Sequence, residues 1–201
     1  MQLTFNTSIR LLSKLVVIAT LLLIFAGALI KSHEVGLSVP DWPTSYGKQM
    51  FSFPLSEMVG GIFYEHGHRV FATIVGFLTL VLAVLIGFSN QPQWVKKTSL
   101  LALILVVCQG LLGGMTVLYF LPPPISILHG ILAQTFFALT IFISYSQSKI
   151  RTKKQQLSSV LYMRRGAVIL ASLVYFQLIL GALMRHTGSG LAIPDFPTMG
   201  G

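Results

Sequence analysis

Five long apolar runs divide the chain, and charged or proline- and glycine-rich stretches separate them. The runs fall at residues 11–30, 67–88, 99–120, 125–145 and 166–184. Each has roughly the 17 to 25 residues that an α-helix needs to cross the hydrocarbon of a bilayer. The pattern therefore predicts an all-α, polytopic membrane protein. Between the third and fourth runs stands only Leu121-Pro122-Pro123-Pro124, a tight hairpin that cannot continue a helix.

The polar residues between the runs set an orientation. Ten lysines and arginines, from Arg10 and Lys14 to Arg164 and Arg165, fall on one side of the predicted spans; Lys31, Lys48, Arg69 and Arg185 fall on the other. The basic excess marks the cytoplasmic (or matrix) side, so the N-terminus is expected there and residues 31–66 on the outer side. All five acids, Glu34, Asp41, Glu57, Glu65 and Asp195, share the outer side. The net charge of +9 is thus orientation charge, and no nucleic-acid partner is expected. The connector from Lys149 to Lys154 reads as a solvated loop near anionic lipid. With 54% hydrophobic and 9% charged residues, a soluble domain is excluded. Arg10 and Lys14 before an apolar run resemble a signal peptide, but no small-residue cleavage site stands out, and the run reads as a retained helix. Cys108 is the single cysteine, which excludes an intramolecular disulfide, a CxxC metal site and a CxxCH haem attachment.

The chain repeats itself at a constant offset of 154. Gly27-Ala28-Leu29-Ile30-Lys31 matches Gly181-Ala182-Leu183-Met184-Arg185, and Gly36-Leu37-Ser38-Val39-Pro40-Asp41-Trp42-Pro43-Thr44 matches Gly190-Leu191-Ala192-Ile193-Pro194-Asp195-Phe196-Pro197-Thr198. The expected organisation is a first four-helix unit over residues 1–150 and the start of a second over 151–201, one helix and its loop. The same offset carries Glu65, His68 and His129 beyond Gly201, so the sequence reads as an incomplete second unit. A shorter echo joins Gln109-Gly110-Leu111-Leu112-Gly113-Gly114 to Gln177-Leu178-Ile179-Leu180-Gly181-Ala182. Odd-numbered helices end with glycine at the outer face; even-numbered ones begin with histidine.

The chemistry concentrates at Tyr64-Glu65-His66-Gly67-His68-Arg69, at the mouth of the second run, and at His129, at the matching place in the fourth. Ionisable groups at a membrane edge are functional candidates. Two imidazoles at one depth on two helices of a bundle suit a haem held from both faces. Ala72 and Val75 follow His68 on its face, as Ala133 and Phe136 follow His129, and Gly110, Gly113 and Gly114 remove bulk from the third helix. The competing reading is two unrelated interfacial histidines with packing glycines. Zinc or copper fits less well, with too few ligands and no second thiolate. Glu65 shares a helix face with His68 and is placed for acid–base chemistry. Arg69 is placed to bind a haem propionate through its fork; alternatively Glu65 and Arg69 form a surface pair of little worth. His33 and His186, expected in outer loops, and His66 read as structural or interfacial. Asp41-Trp42-Pro43 reads as a turn with its indole at the headgroups, or as a lid over the pocket.

These motifs resemble the haem A synthase family. The resemblance rests on Gly36 through Pro43, Tyr64 through Arg69, Gln109 through Val117, and Arg185-His186-Thr187-Gly188-Ser189-Gly190-Leu191, and it spans the chain in order. It implies two similar four-helix halves, each with a histidine pair. One half holds a haem b cofactor, and the other takes haem O as substrate, whose ring methyl is oxidised to the formyl group of haem A. It implies Glu65 as the catalytic glutamate, and His68 and His129 as axial ligands of the haem iron. The haem b is expected in the part of the second unit beyond Gly201. Implied partners are membrane lipid, an electron donor that the sequence does not identify, haem O synthase and cytochrome oxidase assembly proteins; the implied location is the bacterial plasma membrane or the mitochondrial inner membrane. Some members of that family carry a cysteine pair in the first outer loop, where Val39 and Ser45 stand here, so a thiol-based redox step is not expected of this chain. Two other readings stay open: a membrane cytochrome b that passes electrons without oxidising a methyl, and a non-catalytic factor that delivers haem.

Overall fold

In the computed structural model the described residues are 2–148 and 157–189. They form five helices: α1 (Gln2–Ser32), α2 (Gly61–Gly87), α3 (Gln93–Leu118), α4 (Pro123–Ser146) and α5 (Leu157–His186). All five are long and apolar enough to cross a membrane. The protein is an all-α, multi-pass membrane protein.

Each helix starts before its predicted span, and α2 and α3 stop one and two residues short of theirs. α2 starts at Gly61 and not at 67, so Glu65, His68 and Arg69 lie inside the helix. α5 runs through His186, which closes that helix and does not lie in a loop. Prolines fix two starts, with Pro92 preceding α3 and Pro122 preceding α4, whose first turn holds Pro123 and Pro124. The α3–α4 hairpin turns through two left-handed residues, Phe120 (φ 58) and Leu121 (φ 57). Leu121 N–H donates to Thr116 O at 2.6 Å, which caps a carbonyl that α3 leaves free.

The first four helices close a ring: α1 packs on α2, α2 on α3, α3 on α4, and α4 back on α1. Consequently α2 and α4 face each other diagonally. α5 leans on the outside of α4, and Thr135 and Tyr175 share a hydroxyl–hydroxyl bond of 2.6 Å there. Large apolar side chains elsewhere point outward, as expected where the solvent is lipid.

The buried positions reveal a second, shorter repeat. α1 and α3 share a register at an offset of 86: Ile9 with Val95, Ser13 with Ser99, Val16 with Ala102. α2 and α4 share one at an offset of 61: Val75 with Phe136, Thr79 with Thr140, Leu82 with Ile143. The ring is therefore two similar helical hairpins, α1–α2 and α3–α4. The longer repeat, over Gly190–Thr198 and at Gly201, lies outside the described residues, as does the basic connector from Lys149 to Lys154.

Candidate functional site

The offset of 61 also pairs His68 with His129. With α2 and α4 diagonal, one imidazole comes from each side of the ring. Below them Val75 and Phe136 are buried and make an apolar floor. The face 68, 72, 75, 79 on α2 and the face 129, 133, 136, 140 on α4 follow helical spacing.

Each ring lies against a glycine of the helix before its own. A Cβ built on Gly27 of α1 would meet His68 Cε1 at 3.2 Å; one on Gly113 of α3 would meet His129 Cε1 at 3.3 Å. Glycine at these two places lets the backbone touch the imidazole edge. They are related by the α1–α3 offset of 86, so the arrangement is duplicated. Gly181 of α5, which the sequence repeat aligns with Gly27, would meet nothing within 4 Å.

The Nδ1 atoms of His68 and His129 are buried without a hydrogen-bond partner among the described residues. Buried ring nitrogens are normally satisfied, and a histidine meant only for structure would use them. Paired imidazoles, paired glycines and an apolar floor fit a flat metal macrocycle ligated from both faces. Among the described residues no cluster of three or more His, Cys, Asp or Glu is placed to hold a bare metal ion.

Glu65 and Arg69 do not form a surface pair. They are 4% and 8% exposed and bridged at 2.6 Å. Together they grip the α1–α2 loop. Glu65 Oε2 accepts from Val39 N–H at 3.0 Å. Arg69 donates from Nη1 to Asp41 O at 2.6 Å and Thr44 O at 3.1 Å, and from Nη2 to Val39 O at 2.7 Å and Glu65 Oε1. The four terminal N–H groups are thus used within the protein. The buried charges are paired and hydrogen-bonded, as burial requires.

The gripped loop is a cap. Asp41 organises it, accepting from the Thr44 hydroxyl at 2.5 Å, Tyr46 N–H at 2.7 Å and Gly47 N–H at 2.9 Å. Burial alone would raise its pKa; these three bonds outweigh that and hold the carboxyl below the ordinary value. Trp42 does not stand free at the surface. Its indole packs onto α3, where any side chain at Gly114 would collide with it. The cap therefore reaches from α2 across to α3 at the histidine end. His66 braces it from below, sharing a 2.8 Å bond between Nδ1 and Ser45 Oγ and packing 4.6 Å from the Phe53 ring. His33 stacks on Tyr64 at 5.0 Å. Both serve structure, as the sequence suggests.

Sequence reasoning placed the histidines, Glu65 and Arg69 at one end, and the structure brings them there. It missed Gly27 as the partner of His68, Trp42 as the partner of Gly114, and the polar atoms of Gln109 and Ser126, considered below. The hydroxyl pairs Ser13/Ser99 and Thr79/Thr140 were the available signal for the hairpin repeat.

The fold and site thus define a membrane helical bundle with a paired-histidine centre under a loop cap. Residues 10–201 match the model of the COX15-CtaA family, cytochrome oxidase assembly protein, and the chain belongs to that family. Its relatives include the haem A synthases of Shouchella clausii, 28% identical over 92% of this chain and 61% of the relative, and of Bacillus licheniformis, 27% identical over 96% and 63%. The haem A synthase of Halalkalibacterium halodurans is 25% identical over 98% of the chain and 65% of the relative. The chain spans 61% to 65% of the length of these relatives. No solved structure matches it.

Proposed function

We propose that this chain acts in haem A synthesis, with haem O held between His68 and His129 and a ring methyl of that substrate oxidised to a formyl group. One observation carries the reading: the two imidazoles face each other across the ring, each cleared by a glycine at the same register. The names of the relatives support it. Iron in the bound haem would supply the redox chemistry. The protein's own part is to bind, orient and exclude water. His68 and His129 offer neutral nitrogens from two faces, Val75 and Phe136 close the apolar end, and the cap carrying Trp42 covers the polar end. In this reading Glu65 is the acid–base group near the haem edge. The excess of basic residues supports a cytoplasmic N-terminus, with the cap on the outer side of a bacterial plasma membrane (or its mitochondrial equivalent). The electron donor, the haem b cofactor, haem O synthase and other oxidase assembly proteins belong to the same proposal.

A second reading is favoured by one observation. Both oxygens of Glu65 are already bonded, to Arg69 and to Val39 N–H, so the carboxylate is engaged before any substrate arrives. A membrane cytochrome b that only passes electrons needs no free carboxylate there. Two measurements separate the readings. The purified chain supplied with haem should show a low-spin bis-histidine spectrum that is lost when His68 and His129 are both changed to alanine; a spectrum that survives the double change would end both readings. In cells supplying haem O, extracted pigment should contain haem A with an intact enzyme that carries this chain and only haem O with its Glu65→Gln variant. Haem A at parental yield in that variant would remove Glu65 from the chemistry.

A further inference from the structure

Four buried side-chain polar atoms lack a partner among the described residues: His68 Nδ1, His129 Nδ1, Gln109 Oε1 and Ser126 Oγ. All four belong to one neighbourhood. Gln109 is one turn from Gly113 on the face of α3 that meets the His129 ring. Ser126 precedes His129 by three residues on the same face of α4. Gln109 is on the deep side of the histidine, and Ser126 is on the side of the cap.

The hairpin repeat shows that these two atoms are particular to one flank. The α1 counterpart of Gln109 is Leu23, which packs against the hydrophobic core. The α2 counterpart of Ser126 is Glu65, whose oxygens are bonded to Arg69 and Val39. At these two register positions a ligand between the histidines meets no free hydrogen-bonding atom on the α1–α2 flank and two on the α3–α4 flank. Buried polar groups left unsatisfied by the protein itself point to a partner from outside it.

We propose that Gln109 and Ser126 are the residues that read the polar periphery of the bound tetrapyrrole, Gln109 its alcohol and Ser126 its carboxylate edge. The proposal rests on the haem-binding reading above. The assignment follows from what each atom can do. An amide oxygen only accepts, so Gln109 Oε1 requires an O–H or N–H. On the rim of a haem, methyl, vinyl and ionised carboxylate groups donate nothing, whereas a hydroxyalkyl group does. A serine hydroxyl can donate, and on the cap side it meets the end of the macrocycle that carries its charged groups. The pair would thus fix which way round the macrocycle sits, alcohol deep and carboxylates toward the cap. A haem with a hydroxyl-bearing side chain would then be chosen over one without.

The test is a titration of the full chain in lipid nanodiscs with two probes. They are iron protoporphyrin IX, with vinyl groups, and iron haematoporphyrin, with hydroxyethyl groups in their place. The parent is expected to bind the hydroxyethyl probe about tenfold more tightly, the scale of one net hydrogen bond. Gln109→Leu and Gln109→Met should bring the ratio to about one while the low-spin bis-histidine spectrum persists, which shows that the bundle still folds and ligates. Ser126→Ala should weaken both probes by the same factor, because both carry the same carboxylates. Equal affinities in the parent, or a preference that survives both Gln109 changes, would overturn the proposal and leave haem binding intact. If neither probe gives a low-spin spectrum with the parent, the haem-binding reading itself falls, and this proposal with it.

Discussion

The α1–α2 and α3–α4 hairpins are built on one plan and finished differently. Their buried residues share register, and each backs a histidine with a glycine at nearly the same distance, 3.2 and 3.3 Å. Their connections diverge: residues 33–60 form a braced cap in one, and residues 119–122 form a bare turn in the other. Where α2 carries Glu65 and Arg69, α4 carries Ser126 and Gly130. The first pair is buried under the cap and fully engaged with it. At the second pair, a hydroxyl is left without a partner and a Cβ on Gly130 would meet open space. The comparison separates two jobs. The shared frame sets where the imidazoles stand, and the unequal loops decide which side is closed and which keeps free polar atoms.

The widest gap between the hairpins should appear on cutting the ion pair. Arg69→Ala leaves a buried carboxylate alone and frees three loop carbonyls, a change of about 3–5 kcal/mol for a buried pair. The amides of the cap, Val39 above all, should then exchange hydrogen far faster. Ser126→Ala at the matching place should leave that exchange unchanged, and equal responses would erase the distinction. Gly114→Val should come next. The indole of Trp42 occupies the space the new side chain needs, and overpacking of this kind costs about 1–3 kcal/mol. A red-shifted tryptophan emission would report the displaced indole, with the Trp42→Phe chain identifying the contribution of Trp94; an unmoved spectrum would show that the cap does not seat on α3. The smallest effect tests what the hairpins share. Gly27→Ala and Gly113→Ala each push a methyl against a ring edge, and each recovers up to about 1 kcal/mol of helix propensity. The two should shift the midpoint of thermal unfolding by matching amounts, and a large difference would break the equivalence of the two frames.

Much of this was legible before any coordinates. The five spans follow from apolar run length alone, and His68 and His129 stood out because ionisable groups are rare in such runs. Helix ends were not legible: residues 61–66 look like loop until the cap that covers Glu65 and His66 is in place. The Glu65–Arg69 spacing allowed a surface pair or a functional one, and only the folded loop shows that its carbonyls at Val39, Asp41 and Thr44 collect the guanidinium. The hairpin repeat was present but faint. Its apolar pairs, such as Val75 with Phe136, differ in identity, so among the buried pairs only the small hydroxyls Ser13/Ser99 and Thr79/Thr140 repeat in kind.

Those hydroxyls have a consequence for protons. Ser13, Thr20, Thr79, Ser99 and Thr140 are buried in the ring beneath the histidines, a placement that invites the idea of a relay. Each donates instead to a carbonyl of its own helix three or four residues back. A hydroxyl tied in this way turns its hydrogen back onto its own helix, and on α2 and α4 Val75 and Phe136 stand between Thr79 and Thr140 and the imidazoles. None of these five hydroxyls donates to another. A proton that chemistry at the histidines consumes or releases would meet ionisable side chains first at the capped end, where Glu65, Arg69 and Asp41 stand, and its supply would then answer to the pH on that side of the membrane.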